Sequence, residues 1–448
     1  MKRDEASAGR GLSLGTKLGF GVGDFGANLV FQSTFIFLIF YFTDVFGIAA
    51  PIAGTIFLIS KAWDAVSDPV VGYLSDRTKT RWGKKRPYLL FGALPLGVFF
   101  FLLFASPAMP LGFKPYYGLI MFLLVCTFYA IVNVPYGALA ASMTLDSHER
   151  SRLSGFRTFF ALMGALTVAG SMKPLVALFP TEVIGFRMAA AIFGVVAVVL
   201  TYVTFFSVRE VIQESDTEHY NIKDIRRIVL GNRPFLILSL GTIFHLTALG
   251  TLAAMVNYFF KYNMGAESFA TVAFLCIFVP AALALPLWVT VSRKLSKKAT
   301  FNIGMGLLAV ALCVVYFIRE FNPMLLIPAF CLGGIGISTS FLSPWAMVPD
   351  TVEYGQLKTG LRREGVLYGI FFFGQKLASA LAGFIAGQGL GIIGFEANKI
   401  QSPEALEGIR VLMIYAPIAL IIMGIITISF YPISEKMHRE IVSKIQKI

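Results

Sequence analysis

The sequence predicts an all-α integral membrane protein of about twelve transmembrane helices in two six-helix halves. Three observations predict it. The 448 residues are 56% hydrophobic and only 14% charged, with a mean hydropathy of +0.74, and a soluble chain of this size needs more surface charge. Apolar stretches long enough to cross a bilayer recur along the whole chain. The loops between them alternate between basic and nearly free of Lys and Arg.

The apolar stretches lie at 19–43, 51–74, 88–106, 116–142, 156–174, 186–207, 236–260, 269–291, 301–318, 324–348, 366–393 and 409–431. With no water in the hydrocarbon to satisfy the backbone, runs this long and apolar must be helices. The basic loops are Arg77 to Arg86, Arg150 to Arg152, Arg209 to Arg233, Arg293 to Lys298, Lys358 to Arg363 and the tail from Lys436. Thr43 to Ala50, Ser106 to Tyr116, Phe179 to Gly185 and Asn263 to Ser268 carry almost no Lys or Arg. This alternation places both termini and the basic loops in the cytoplasm. It also accounts for the net charge of +13 without a nucleic-acid partner. Met1 to Thr16 is polar and shows no signal-peptide pattern.

The longest polar stretch between spans, 209–234, divides residues 1–208 from residues 235–435, and 436–448 form a cytoplasmic tail. Each half carries a basic turn after its second span, SDRTKTRWGKKRP (75–87) and SRKLSKKATF (292–301). Two similar six-span halves are a mark of secondary transporters with a site at the midplane between the repeats. Cys126, Cys276, Cys313 and Cys331 all lie within apolar runs, without metal-ligand spacing, and read as buried thiols. No nucleophile elbow, zinc motif or phosphate-binding loop is present, so neither an enzyme nor an ATP-driven pump is expected.

Ionisable groups at membrane depth are costly and mark function. The second span contains KAWDAVSDPVVG (61–72). Asp64 and Asp68, four apart, share one helix face, and Lys61 can offset part of their charge. Two such carboxylates cannot both ionise cheaply, so H⁺ or Na⁺ is expected there, the alternative being a Lys/Asp network that pins helices together. Asp24, Asn28 and Gln32 form a polar stripe on the first span, which either lines a hydrophilic cavity or hydrogen-bonds between helices. Tyr129, Asn133 and Tyr136 form a second such face. Arg157 either grips substrate or snorkels to the headgroups. In the second half, Gln375 and Lys376 lie inside the eleventh span, Trp345 can stack on a sugar ring, and His245 reads as a packing residue rather than a proton relay.

At these residues the sequence resembles the glycoside–pentoside–hexuronide:cation symporters of the major facilitator superfamily, which include the melibiose, xyloside and glucuronide carriers. The resemblance runs through GDFGANLV (23–30), YFTDVFGI (41–48), WDAVSDPVVG (63–72), RTKTRWGKKRPYLLFG (77–92), NVPYGALA (133–140), PDTVEYGQLKTGLRREG (349–365) and LGIIGFEANKIQS (390–402). It implies a major facilitator fold, with Asp64 and Asp68 as cation-site carboxylates and Arg157 and Lys376 at the sugar site. Asp76 with Arg77 and the Asp350/Glu353 segment, with Arg363, would form a cytoplasmic gate. The melibiose carrier has sugar-gripping aspartates where this chain has Asn28 and Asn133, and polar cation ligands where it has Ser67 and Ala130. Losing an oxygen at Ala130 weakens a Na⁺ shell, which shifts the expectation toward H⁺. Asparagine at both sugar positions is similar to the glucuronide carrier, although that carrier has an arginine where this chain has Gln375.

The expected function is therefore import of a sugar, glycoside or hexuronide with H⁺ or Na⁺ across a bacterial inner membrane, by a monomer in lipid and without a cofactor. Export of a non-sugar solute and non-transporting sugar sensing are the alternatives.

Overall fold

The computed structural model describes residues 12–144, 146–210, 229–318, 322–360 and 364–445. Among these residues there are helices and connecting turns and no β-strand. Two compact units divide the chain, Met1–Thr217 with Glu396–Lys399, and Glu218–Phe395 with Ile400–Ile448. The first holds α1 (Leu14–Phe40), α2 (Ala50–Arg77), α3 (Arg86–Leu103), α4 (Lys114–Met143), α5 (Ser147–Ala177) and α6 (Glu182–Ser207). The second holds α7 (Arg233–Tyr258), α8 (Phe269–Lys294), α9 (Lys297–Ile318), α10 (Ile327–Thr359), α11 (Glu364–Ile392) and α12 (Pro403–Ser429, with a π turn at Val411–Tyr415). A short helix, α13 (Glu435–Ile445), follows.

Among the described residues, eleven of the twelve long helices are apolar enough to cross a bilayer by length and composition. The remaining one, α2, has the length at 28 residues. Its apolar character is diluted by Lys61, Asp64, Asp68, Asp76 and Arg77, the same residues that mark it as functional. It is two-faced at helical spacing. Ser60, Lys61, Asp64, Ser67 and Val71 turn inward, while Trp63, Val66, Val70 and Tyr73 turn outward.

The helices outrun the apolar stretches because hydropathy reports depth in lipid, whereas backbone hydrogen bonding continues into the polar flanks. Arg150 to Arg152, read as a loop, lies in the first turns of α5, and the tail from Lys436 is helical. Prolines at the first turn start α3, α4 and α7, where the missing N–H costs nothing. Ser13, Thr181, Asn232 and Ser402 accept backbone N–H groups at the starts of α1, α6, α7 and α12. Residues 211–228 of the middle loop lie outside the described residues.

The two units repeat the same helix neighbours. In the first, α1 packs on α5 and α6, α4 on α2 and α3, and α3 on α6. In the second, α7 packs on α11 and α12, α10 on α8 and α9, and α9 on α12. Close backbone approach is built from glycine: a Cβ on Gly304 of α9 would lie 2.8 Å from the Gly336 carbonyl of α10.

Candidate functional site

Two ion pairs of the first unit hold residues that the sequence singles out. On α2, Lys61 Nζ lies 3.6 Å from Asp64 Oδ2, and both side chains are almost fully buried. The ammonium is flanked by the rings of Phe31 and Phe122, 5.3 and 5.5 Å from their centroids. Beside the pair is a cavity of about 10 Å³ lined by Phe31, Thr34, Lys61, Asp64 and Tyr129, about enough for one water. Asp68, one turn further, is half-buried on the same side of α2. Trp63 ties α2 to α4 through its Nε1–H, which donates to Thr127 at 2.8 Å.

The second pair joins α1 to α5. Arg157 Nε donates to Asp24 Oδ2 at 2.9 Å. Its guanidinium lies 5.2 Å from the Tyr136 ring centroid, and the Tyr136 hydroxyl donates to the Phe20 carbonyl at 2.7 Å. Arg157 thus neither snorkels nor stands apart. It is held on one edge by Asp24 and on one face by Tyr136. No described residue accepts from its two terminal amino groups, and the side chain is 34% exposed. An arginine so placed can take a planar acceptor on its remaining edge.

The polar stripe on α1 is only partly available. Asn28 turns its amide back to the Asp24 carbonyl at 2.9 Å. Gln32 Oε1 and, on α4, Asn133 Oδ1 are buried oxygens without a hydrogen-bond donor among the described residues. Such orphan acceptors cost free energy unless a ligand or water serves them.

In the second unit, Trp345 is 36% exposed and meets Phe371 and Phe372 of α11 edge-on or tilted, at 5.4 and 5.3 Å between centroids. Gln375 and Lys376 are half-buried on α11. His245 is buried, bonded through Nδ1 to the Gly241 carbonyl at 3.0 Å and set edge-on against Phe301. Its Nε2 is buried without a hydrogen-bond partner among the described residues.

Of the expected gate residues, Asp76 is half-buried at the end of α2, and Arg77 stacks on Tyr73 at 4.1 Å. Asp350 is buried and accepts two bonds from Lys297, at 2.7 and 2.8 Å. Glu353 is bonded to His438 of α13. Arg363 lies outside the described residues. Sequence reasoning missed Lys297 and His438, since both sit in basic segments whose charge already had an explanation. It also missed Glu210, whose carboxylate accepts the backbone N–H groups of Lys84, Lys85 and Arg86 at 2.8 to 2.9 Å and caps α3. Gly83 (φ +108°) leaves room for that carboxylate.

The model of a family described as MFS/sugar transport protein matches residues 19–435. The chain belongs to that family. As an MFS protein with many apolar spans it is a multi-pass membrane transporter and not an enzyme. Among its relatives is the uncharacterized symporter YjmB of Bacillus subtilis, 34% identical over 97% of this chain and 96% of the relative. A glucuronide carrier protein homolog of Escherichia coli is 31% identical over 97% and 96%. The isoprimeverose transporter of Lactiplantibacillus pentosus is 31% identical over 94% and 88%. Among solved structures, the nucleoside transporter NupG superposes with a TM-score of 0.68 at 12% identity, covering 92% of this chain and 99% of NupG. That likeness concerns the fold alone.

Proposed function

We propose that this transporter carries a sugar or glycoside into a bacterial cell together with a cation, H⁺ in preference to Na⁺, by alternating access with both termini cytoplasmic. The observation that carries the reading is the α2 cluster, where one ammonium, Lys61, accompanies two carboxylates, Asp64 and Asp68, at membrane depth. Two carboxylates on one helix face at membrane depth cannot both ionise cheaply, and a mobile cation taken up there relieves that cost. A proton needs one carboxylate oxygen. Sodium needs several oxygens, and the neighbours supply few: Ser67 Oγ donates back to the Asp64 carbonyl at 3.0 Å, and Ala130, buried on α4, has no side-chain oxygen.

The proposed substrate residues of the first unit are Asp24, Asn28, Gln32, Asn133 and Arg157, and those of the second are Trp345, Gln375 and Lys376. The open edge of Arg157 favours an acidic sugar, whose carboxylate it can hold in two parallel bonds. Gln32 Oε1 and Asn133 Oδ1 offer acceptors to sugar hydroxyls. Relatives named as a glucuronide carrier homolog, an isoprimeverose transporter and an inner membrane symporter are in keeping with sugar symport across an inner membrane.

The test is the external pH of de-energised cells pulsed with a panel of hexuronides, pentosides and neutral glycosides, with and without Na⁺. Alkalinisation with one sugar class, absent in Asp68→Asn, is the expected result. No pH change with any sugar, together with Na⁺-dependent accumulation, would replace H⁺ by Na⁺. Absence of both would end the sugar-symport reading.

A further inference from the structure

Within the second unit, α13 does not trail away from the helix bundle. Tyr431 and Ile433, in the segment that leads into it, are buried, as is Ile441 on its inner face. The Tyr431 hydroxyl donates to the Met347 carbonyl of α10 at 3.3 Å. One turn into α13, His438 Nε2 is hydrogen-bonded to Glu353 and lies 3.5 Å from Asp350 Oδ1, so a single imidazole meets both carboxylates at the end of α10. Asp350 is shared with Lys297 at the start of α9. Between these elements is a cavity of about 290 Å³ whose lining includes Lys297, Lys298, Asp350, Tyr431, Glu435 and Arg439. The helix therefore rests on a few apolar anchors and one polar clasp, with open space alongside.

The charges facing His438 set the sign. From α10 come Asp350 and Glu353, from the start of α9 Lys297 and Lys298, from the α12–α13 link the Tyr431 phenol, and from α13 itself Glu435 and Arg439. Lys297 is spent on Asp350 and the Ala346 carbonyl, and Lys298 on the Ser429 and Tyr431 carbonyls. The nearest contacts of the imidazole are thus both acidic. Histidine is the side chain that changes charge in the physiological range. Charged, it donates one charge-assisted bond from Nε2–H to Glu353 and attracts Asp350 across 3.5 Å. Neutral, it offers at most one uncharged N–H at Nε2, and the attraction to Asp350 is lost.

We propose that α13 is a proton-operated latch on the end of α10, closed when His438 is charged and loosened when it is neutral. Its meaning rests on the symport reading. Protons released on the cytoplasmic side with the sugar would close the latch, restrain the end of α10 and slow further uptake, a feedback from product to carrier. His438 acts here through Asp350 and Glu353, as a positioning residue.

The test needs neither sugar nor gradient, so it stands or falls apart from the symport reading. Hydrogen–deuterium exchange of residues 435–445 is measured on the purified full-length protein from about pH 5.5 to about pH 8.5, the span over which histidine changes charge, after correction for intrinsic exchange. Wild-type protection is expected to fall about tenfold across that span, the worth of one charge-assisted hydrogen bond. His438→Gln is expected to be weakly protected and flat with pH, and His438→Lys strongly protected and flat. A wild-type profile without pH dependence, or a His438→Gln profile that follows the wild type, overturns the latch. If His438→Gln does not fold, His438→Lys decides alone: flat, high protection supports the latch, and a fall like that of the wild type overturns it.

Discussion

The first helix of each unit ends in the same way. α1 passes into a π turn at Tyr41–Val45 and α7 into one at Phe259–Asn263, and each is followed by a glycine in the left-handed region, Gly47 (φ +79°) and Gly265 (φ +59°). The backbone bonds match: Ile48 N–H to the Phe42 carbonyl at 2.7 Å, and Ala266 N–H to the Phe260 carbonyl at 2.8 Å. The register that lays Gly47 on Gly265 also lays Asp24 on Thr242, Lys61 on Val279, Asp64 on Ala282 and Asp68 on Pro286. The scaffold is repeated and the ion chemistry is not. Every charge of the α1 and α2 clusters has an uncharged counterpart in α7 and α8. A repeated fold places helices, whereas coupling needs charges at one location only, and each further buried charge would cost stability without function.

The sharpest break of this asymmetry is functional. One proton driven by a potential of about 100 mV is worth about 2.3 kcal/mol, roughly a 50-fold sugar gradient. Asp68→Asn is expected to abolish that gradient while sugar binding or exchange persists, and Ala282→Ser, at the counterpart of Asp64, is expected to leave it intact. Radiolabelled sugar accumulation in energised cells reads both. Equal loss in both variants would show that the second unit shares the ion chemistry.

Next in size is the Asp24/Arg157 pair. Arg157→Ala leaves Asp24 buried without its partner and is expected to cost about 3–5 kcal/mol of stability. Asp24→Asn combined with Arg157→Gln should recover most of that stability without recovering sugar binding. Thermal unfolding and equilibrium binding on the same samples separate the two effects. If the double variant is as unstable as Arg157→Ala, the pair is not the source of the loss.

Gly47→Ala and Gly265→Ala are expected to cost about 1–2 kcal/mol each, the penalty for a side chain in the left-handed region. A large difference between the two thermal shifts would count against structural equivalence of the turns. Smallest is Thr242→Val. Thr242 Oγ1 is buried without a partner among the described residues, so its removal should be neutral or stabilising by less than about 1 kcal/mol. A marked loss of uptake would show that this counterpart of Asp24 has a polar task after all.

Much of the candidate site was legible in the residues. Asp64, Asp68 and Lys61 declare themselves because charge within an apolar run is locally anomalous. Arg157 was equally visible, but its partner was not: Asp24 is distant in the chain, and nothing local distinguishes a paired arginine from one that snorkels. Asn28 reads as a cavity residue from its spacing, and only the structure shows that its amide bonds back to its own helix. Lys297 and His438 were hidden in plain basic segments, and only the packing of α13 on α10 gives them partners.

By itself the sequence determined that this chain crosses a membrane many times, in two halves, with charge concentrated on its second span. Hydropathy, loop charge and helical spacing are local properties, and they survive without knowledge of any contact. Tertiary structure alone decided which charges neutralise each other, which polar atoms are left unserved and where α13 rests. Those depend on side chains brought within about 3 Å from distant parts of the chain, where the strength of a hydrogen bond is settled by distance and direction rather than by residue type.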